Sequence, residues 1–417
     1  MKIIIANYRF FIAGGPEKYM FKCMAAANKM GIEVIPFSVN NPQNAKTKYS
    51  DYFAKPRANT LMYSDTKYSF GNLVGMARAT VWNYDAYHKM CKLIRDTQPD
   101  AVYILHEINH LSPSIIRAAK KEGVRVIHRI SDFFMFCAKS DFLCGDEICE
   151  DCIKGSYNKA IKNRCVKGSL SGTLLRVFAM KLYANLKVFD DVDKYVTPSL
   201  FTRNKLIEGG IENHKVVHIP TFIDVSGINP CYTNKKYFLF LGRMAHQKGT
   251  IYAIKAMIAL KNTEYVLKIT GILSESPEDQ LLKKIISDNG LENKIIFVGF
   301  KSGTELDCLI SNCVCVVCPA IWYENMPNTV IEAYAYGKPV VASRLGSFSE
   351  IVDDEKTGFL FESKNIKELS KKLSKFVEDE SLSAQLGHNA REKCQNEYSE
   401  KVHMSALVEV LQGKSII

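Results

Sequence analysis

The feature that most limits what this chain can become is a repeated unit of strand, helix and strand. Lys2 to Asn7 reads as an apolar strand, Gly14-Gly15-Pro16-Glu17-Lys18 opens a helix to about Met30, Gly31 stops it, and Glu33 to Val39 is a second strand. The unit returns with a strand at Ala101 to His106, a helix at Ser114 to Lys121, Gly123 as its stop and a strand from Val124. It restarts with a strand at Tyr237 to Leu241, a helix through Ile251 to Leu260, and strands at Val266 to Thr270, Ile295 to Val298, Val314 to Cys318 and Pro339 to Ala342. Such units bury their apolar faces as a parallel sheet with helices on both sides. Two runs of them in 417 residues predict an α/β chain of two doubly wound, Rossmann-like domains. The expected division is 1–195 for the first domain, completed by a C-terminal helix at 400–417, and 196–399 for the second.

Composition removes several other classes. At 47% hydrophobic and 24% charged, the chain is neither disordered nor a coiled coil. The opening MKIIIANYRF is too short an apolar run for a signal peptide, and no window reaches about 18 apolar residues, so a cytoplasmic protein that does not span the membrane is expected. In that compartment thirteen cysteines are thiols or metal ligands rather than a disulfide framework. Cys137, Cys144, Cys149, Cys152 and Cys165 supply enough sulfur for a structural zinc or an iron–sulfur cluster, although only one C-x2-C pair is among them. Cys313, Cys315 and Cys318 lie in an apolar strand and read as small buried hydrophobes.

The net charge of +11 is unevenly placed: residues 1–200 hold 29 Lys and Arg against 18 Asp and Glu, leaving 26 against 26 in the remainder. The basic half suggests an anionic partner, or a solvated basic face. Zinc-finger, RNP and helix-turn-helix signatures are missing, so nucleic acid is not the expected partner. Residues 152–189 carry eight Lys or Arg and no acid, with apolar spacing at Leu174, Leu175, Phe178, Leu182 and Leu186. A helix of this kind either lies in an anionic membrane surface or packs on its own domain. Residues 40–80, with Tyr49, Tyr52, Phe53, Tyr63, Tyr68 and Phe70, read as an insertion that lines a binding site or packs as an irregular loop.

The chemistry is concentrated in two segments of the second half. In PAIWYENMPNTVIEAYAYGKPVVA, Pro319 to Ala342, Glu324 follows a buried strand and Glu332 lies more than a turn into a helix starting near Pro327-Asn328. A helix start at the end of a strand aims N–H groups and a positive dipole at an anion such as a diphosphate, and flanking carboxylates accept hydrogen bonds from sugar hydroxyls. Two unrelated surface glutamates would show the same spacing. In FLGRMAHQKG, Phe240 to Gly249, Arg243 and Lys248 follow a strand, where cations neutralise a phosphate or simply form a solvated loop.

These residues resemble the donor-binding domain of retaining glycosyltransferases of family 4, whose two Rossmann-like domains face a central cleft in the fold called GT-B. The resemblance rests on Gly242-Arg243 with Lys248-Gly249, on Glu324 and Glu332, on Pro327-Asn328, on Gly337-Lys338-Pro339-Val340-Val341-Ala342, and on Gly346 with Glu350 and Thr357-Gly358. It is strong over about 195–395 and weak before that, through Gly14-Gly15-Pro16-Glu17-Lys18, His106-Glu107 and His128. It implies that Arg243 and Lys248 bind the donor diphosphate, that Glu332 holds the ribose and Glu324 the transferred sugar, and that the backbone of Met326, Pro327, Asn328 and Thr329 meets the phosphate. Gly14 and Gly15 would let the first loop approach donor or acceptor, Gly242 belongs to the donor loop, and His128 would stand beside the reacting centre, with His106 the weaker candidate. No cofactor is required for transfer. The implied partners are a nucleotide diphosphate sugar, a lipid-linked or oligosaccharide acceptor, and an anionic membrane surface on the inner face of the cell membrane. Asn325 where glycine is common, and Thr221-Phe222-Ile223-Asp224 in place of an Asn-Gly pattern, leave the sugar open. A nucleotide-sugar epimerase on the same fold, or a non-catalytic nucleotide-sugar-binding protein, would share part of the pattern.

Overall fold

The computed structural model describes residues 1–56, 80–108 and 110–414. In the first unit six strands, β1 (Lys2–Asn7), β2 (Glu33–Phe37), β3 (Ala101–His106), β4 (Arg125–Arg129), β5 (Lys194–Thr197) and β6 (Val216–His218), form one sheet in the order β2-β1-β3-β4-β5-β6. Every neighbouring pair is parallel. Because helices cover both faces, the strands are apolar nearly throughout: Ile3, Ile4, Ile5 and Val102 to Leu105 are all buried. Helix α1 (Gly15–Lys29) carries Pro16 at its second position, where the missing N–H costs nothing, has Glu17 in its first turn and Lys29 in its last, and is followed by Gly31 in the left-handed region. Helix α2 (Tyr84–Thr97) is capped by the Asn83 side chain, which accepts the Ala86 N–H at 3.1 Å. Helices α3 (Ser114–Lys121) and α4 (Leu170–Asn185) follow.

The second unit repeats the architecture with β7 (Tyr237–Phe240), β8 (Val266–Ile269), β9 (Ile295–Phe297), β10 (Val316–Cys318), β11 (Val340–Ser343) and β12 (Gly358–Phe361), again parallel, in the order β9-β8-β7-β10-β11-β12. Chain direction across the sheet reverses between β7 and β10. In doubly wound sheets a crevice opens at such a switch point, beyond the carboxyl ends of the two strands. Helix α5 (Thr250–Ala256) leaves the β7 loop, and α6 (Asn328–Ala335) leaves the β10 loop.

Residue 195 falls inside β5. Pairing of β5 with β6, from Tyr195 opposite Val216 to Thr197 opposite His218, holds the following twenty-odd residues in the first sheet. The first unit therefore comprises Met1–Cys144, Cys149–Ile219 and the residues from Met404 on, and the second comprises Gly145–Ile148 and Pro220–His403. Of the expected aromatic insertion, Tyr63, Tyr68 and Phe70 lie outside the described residues. Phe53 is buried, and the Tyr49 and Tyr52 hydroxyls donate to Glu33 at 3.0 Å and Asp96 at 2.7 Å, so these three pack against their own unit.

Candidate active site

The site is built from the loops after β7 and β10. The Gly242 N–H donates to Thr270 Oγ1 at 3.2 Å, tying the loop after β7 to the end of β8. One tight turn, His246–Lys248, then leads to Gly249 at φ 72°, where α5 begins. A Cβ on Gly249 would lie 1.8 Å from the Pro319 carbonyl oxygen, so only glycine lets the two loops touch. The Ile321 N–H donates to Gln247 O at 3.0 Å and locks the same contact.

The outcome is a charged cluster. Lys248 Nζ donates to Glu324 Oε1 at 2.5 Å, and Trp322 Nε1 donates to the same oxygen at 2.8 Å. Lys248 Nζ also sits 5.5 Å from the Trp322 ring centroid. Glu324 is buried while Lys248 keeps a quarter of its side chain in solvent, so the ammonium has an open side toward a ligand. Arg243 is exposed in the same loop. Gly346, at φ 59°, packs on Tyr323 and Glu324: a Cβ there would come within 3.3 Å of the Tyr323 Cα.

Helix α6 starts directly after Pro327 and has no side-chain cap. Met326 Sδ accepts the Thr221 N–H at 3.2 Å, and the Thr329 hydroxyl lies 3.8 Å from Cys318 Sγ. Asn328 and Thr329 fill the first turn and Glu332 the second, half-buried. Gly337 at φ 68° and Lys338 serve the scaffold: Lys338 is fully buried, donates to Thr233 O at 2.7 Å, and burial pulls its pKa below the ordinary lysine value. Trp322 and Thr270 were not singled out by sequence. Trp322 is one of only two tryptophans and stands two residues before Glu324, which was the available signal.

The two histidines of the first unit sit in different surroundings. His128 lies in β4, which continues to Arg129 through its pairing with Val196 of β5. Its side chain is 6% exposed, and Nε2 is 3.0 Å from Glu107 Oε2. Burial would raise the Glu107 pKa, but the His128 partner and its hydrogen bond outweigh burial and bring it below the ordinary value. His106, the last residue of β3, is the more open at 18%, with Nε2 3.3 Å from Asp132 Oδ2. Burial works to lower its pKa; the Asp132 carboxylate more than offsets this and raises it. Both imidazoles keep a buried Nδ1 without a hydrogen-bond partner among the described residues. They share a cavity of about 10 Å³, room for one water, with Glu107, Arg129, Ser131 and Asp132. Asp132→Asn is therefore expected to lower the His106 pKa, read from its imidazole resonances during an NMR titration.

Gly14 precedes α1 with an extended backbone, and a Cβ there would meet Glu17 Oε2 at an ordinary 3.5 Å. Nothing within the fold demands glycine at that position. Gly15 is the first residue of α1.

All five cysteines of the proposed cluster are free thiols, with Cys137 and Cys152 buried and Cys144, Cys149 and Cys165 half-buried. Among the described residues no group of three or more His, Cys, Asp or Glu side chains could hold a metal ion. Burial pushes the Cys137 and Cys152 thiols up, and burial together with the neighbouring Cys144, Cys137, Cys152 and Cys149 pushes Cys165 up to about 12. Cys313, Cys315 and Cys318 are buried in and beside β10.

Comparison with known proteins agrees with this geometry. Residues 224–393 match the family model for glycosyl transferases group 1. An uncharacterized glycosyltransferase of Methanocaldococcus jannaschii is 30% identical over 169 residues, 40% of this chain and 42% of that protein. The lipopolysaccharide core biosynthesis mannosyltransferase LpsB of Rhizobium meliloti is 31% identical over 160 residues, 37% of this chain and 44% of that protein. The chain thus matches about half the length of these curated relatives or less. The crystal structure of Anabaena HepE in complex with UDP covers 99% of this chain and 100% of its own, with a TM-score of 0.68 at 15% identity. The second unit therefore carries the sequence pattern of glycosyl transferases group 1 over residues 224–393, on a chain with the two-domain GT-B fold.

Proposed function

We propose that the chain is a retaining glycosyltransferase, which moves a sugar from a nucleotide diphosphate sugar to a lipid-linked or saccharide acceptor in surface polysaccharide assembly at the inner face of the cell membrane. The observation that carries this reading is the cluster of Lys248, Glu324 and Trp322 beside the start of α6, at the switch point of a sheet whose sequence matches group 1 glycosyl transferases. Breaking the anomeric C–O bond places negative charge on the leaving phosphate and positive charge on the sugar. Lys248 and Arg243 offer fixed positive charge to the former, as does the uncapped start of α6 from Met326 to Thr329. Glu324, held by Trp322 and Lys248, accepts hydrogen bonds from the transferred sugar, and Glu332 accepts them from the ribose. In this reading the departing phosphate takes the acceptor proton as the new bond forms on the same face, and the resident cations supply the charge stabilisation a metal would give.

Gly14 and Gly15 let the first loop approach the donor phosphate or the acceptor, and of the two histidines offered to the reacting centre, His128 and His106, the latter has the more open imidazole. The similarity to relatives in lipopolysaccharide synthesis and to a UDP-bound structure supports a nucleotide sugar as donor. The deciding experiment is a thermal-shift screen of nucleoside diphosphates and their sugars, in which a ligand at a hundred times its Kd adds about 2.7 kcal/mol to the native state. No shift with any of them would remove the reading. Consumption of donor without any acceptor, with isomerised sugar as product, would point to the epimerase instead.

A further inference from the structure

Helix α4, Leu170–Asn185, is apolar on both sides. Its inner face buries Thr173, Arg176, Val177, Ala179, Met180 and Tyr183, and the Ser169 hydroxyl caps its start by accepting the Gly172 N–H at 3.1 Å. An ordinary surface helix would turn charged residues outward. Here Leu170, Leu174 and Phe178, spaced four residues apart on one stripe, are 44%, 47% and 57% exposed, and Leu186 at the end of the helix is 47% exposed. Lone exposed leucines are common, but four large apolar side chains along one helix are not.

The segment that carries this stripe is itself rich in cations, with Glu150 and Asp151 before it and Asp190 and Asp191 after it. Lys167 precedes the helix, Lys181 lies on the stripe, and Lys187 follows the end. From 152 to 189 there is no Asp or Glu, and seven of the eight cations are exposed, Arg176 alone being buried. No helix among the described residues is long and apolar enough to cross a membrane, so any lipid contact of α4 is interfacial.

We propose that this face of α4 docks on an anionic lipid bilayer, with Leu170, Leu174, Phe178 and Leu186 entering the headgroup region and the flanking lysines meeting lipid phosphates. A bilayer is the occupant that matches a long cation-rich stretch beside an exposed apolar stripe, because it presents extended anionic charge over an apolar layer. The proposal rests on the membrane location in the sugar-transfer reading, but vesicle binding is measured without turnover, so the two can fail separately.

The test is flotation of the full chain with vesicles of phosphatidylcholine alone and of phosphatidylcholine mixed with phosphatidylglycerol. Binding to the mixed vesicles at low salt, released as salt rises, is expected, since surface attraction decays over a Debye length of about 10 Å at 0.1 M. A Leu174→Ser, Phe178→Ser double variant should keep its melting temperature, because both side chains already face water, and lose about ten-fold or more in vesicle partitioning. A Lys167→Gln, Lys181→Gln, Lys187→Gln variant should lose most of the preference for anionic vesicles while retaining the apolar stripe. Absent or equal binding to both vesicle types, or binding unchanged in the double variant, would overturn the proposal. So would self-association of the wild type that the double variant abolishes, which would make a second copy of the chain the occupant.

Discussion

Lys248→Ala is expected to lower sugar transfer by about 10²–10³-fold, the usual loss when one preorganised group that stabilises a leaving anion is removed. The ammonium has two tasks at once. It meets Glu324 Oε1 at 2.5 Å and, in the proposed reaction, the departing diphosphate. Its loss leaves the buried Glu324 carboxylate with Trp322 as its remaining side-chain donor on that oxygen, so the effect should appear in kcat as well as in donor affinity. Arg243→Ala should fall in the same direction, and more through affinity, since Arg243 is exposed and its charge is screened. Turnover of both variants within about twofold of wild type would mean that neither cation meets the leaving group, and the assignment would fail. Because a folded control is needed, both variants should be compared with wild type by melting temperature first.

The legible part of this fold is the part written in short-range pattern. Ile3-Ile4-Ile5, Val102 to Leu105 and Val340-Val341 are uninterrupted apolar runs, and they form parallel strands because helices bury them from both sides. The loops of the candidate site were legible for the same reason: Lys248 precedes its glycine directly, and Glu324 follows its strand by six residues, so each is local to a loop. What was hidden depends on pairing between distant segments. The pairing of β5 with β6 keeps the residues up to 219 in the first unit. The partners of the two histidines come from distant segments as well: Glu107 holds His128 in its strand, and Asp132 meets the more open His106. Cysteine spacing likewise does not specify burial: Cys137 and Cys152 are buried, while Cys144, Cys149 and Cys165 are half-buried.

Gly249→Ala is expected to be among the most damaging single-methyl additions to the second unit. Two costs combine there. At φ 72° a side chain pays about 1–2 kcal/mol for the left-handed conformation, and the new Cβ would lie 1.8 Å from the Pro319 carbonyl oxygen, a backbone atom that cannot rotate away. Forcing the loops apart adds an overpacking cost of about 1–3 kcal/mol. The same movement separates Lys248 from Glu324, since the contact of Gly249 with Pro319 is what sets the two loops side by side. Gly290 supplies the control: its φ is 65°, but nothing lies within 4 Å of an added Cβ, so Gly290→Ala should cost only the conformational part, about 1–2 kcal/mol. Unfolding of the second unit, followed through Trp322 in a Trp82→Phe background, should show Gly249→Ala clearly the less stable of the two, and nucleoside diphosphate binding should be lost in Gly249→Ala but kept in Gly290→Ala. Equal destabilisation with binding intact in both would show that the loop after β7 yields without disturbing the site, and the steric account of Gly249 would be wrong.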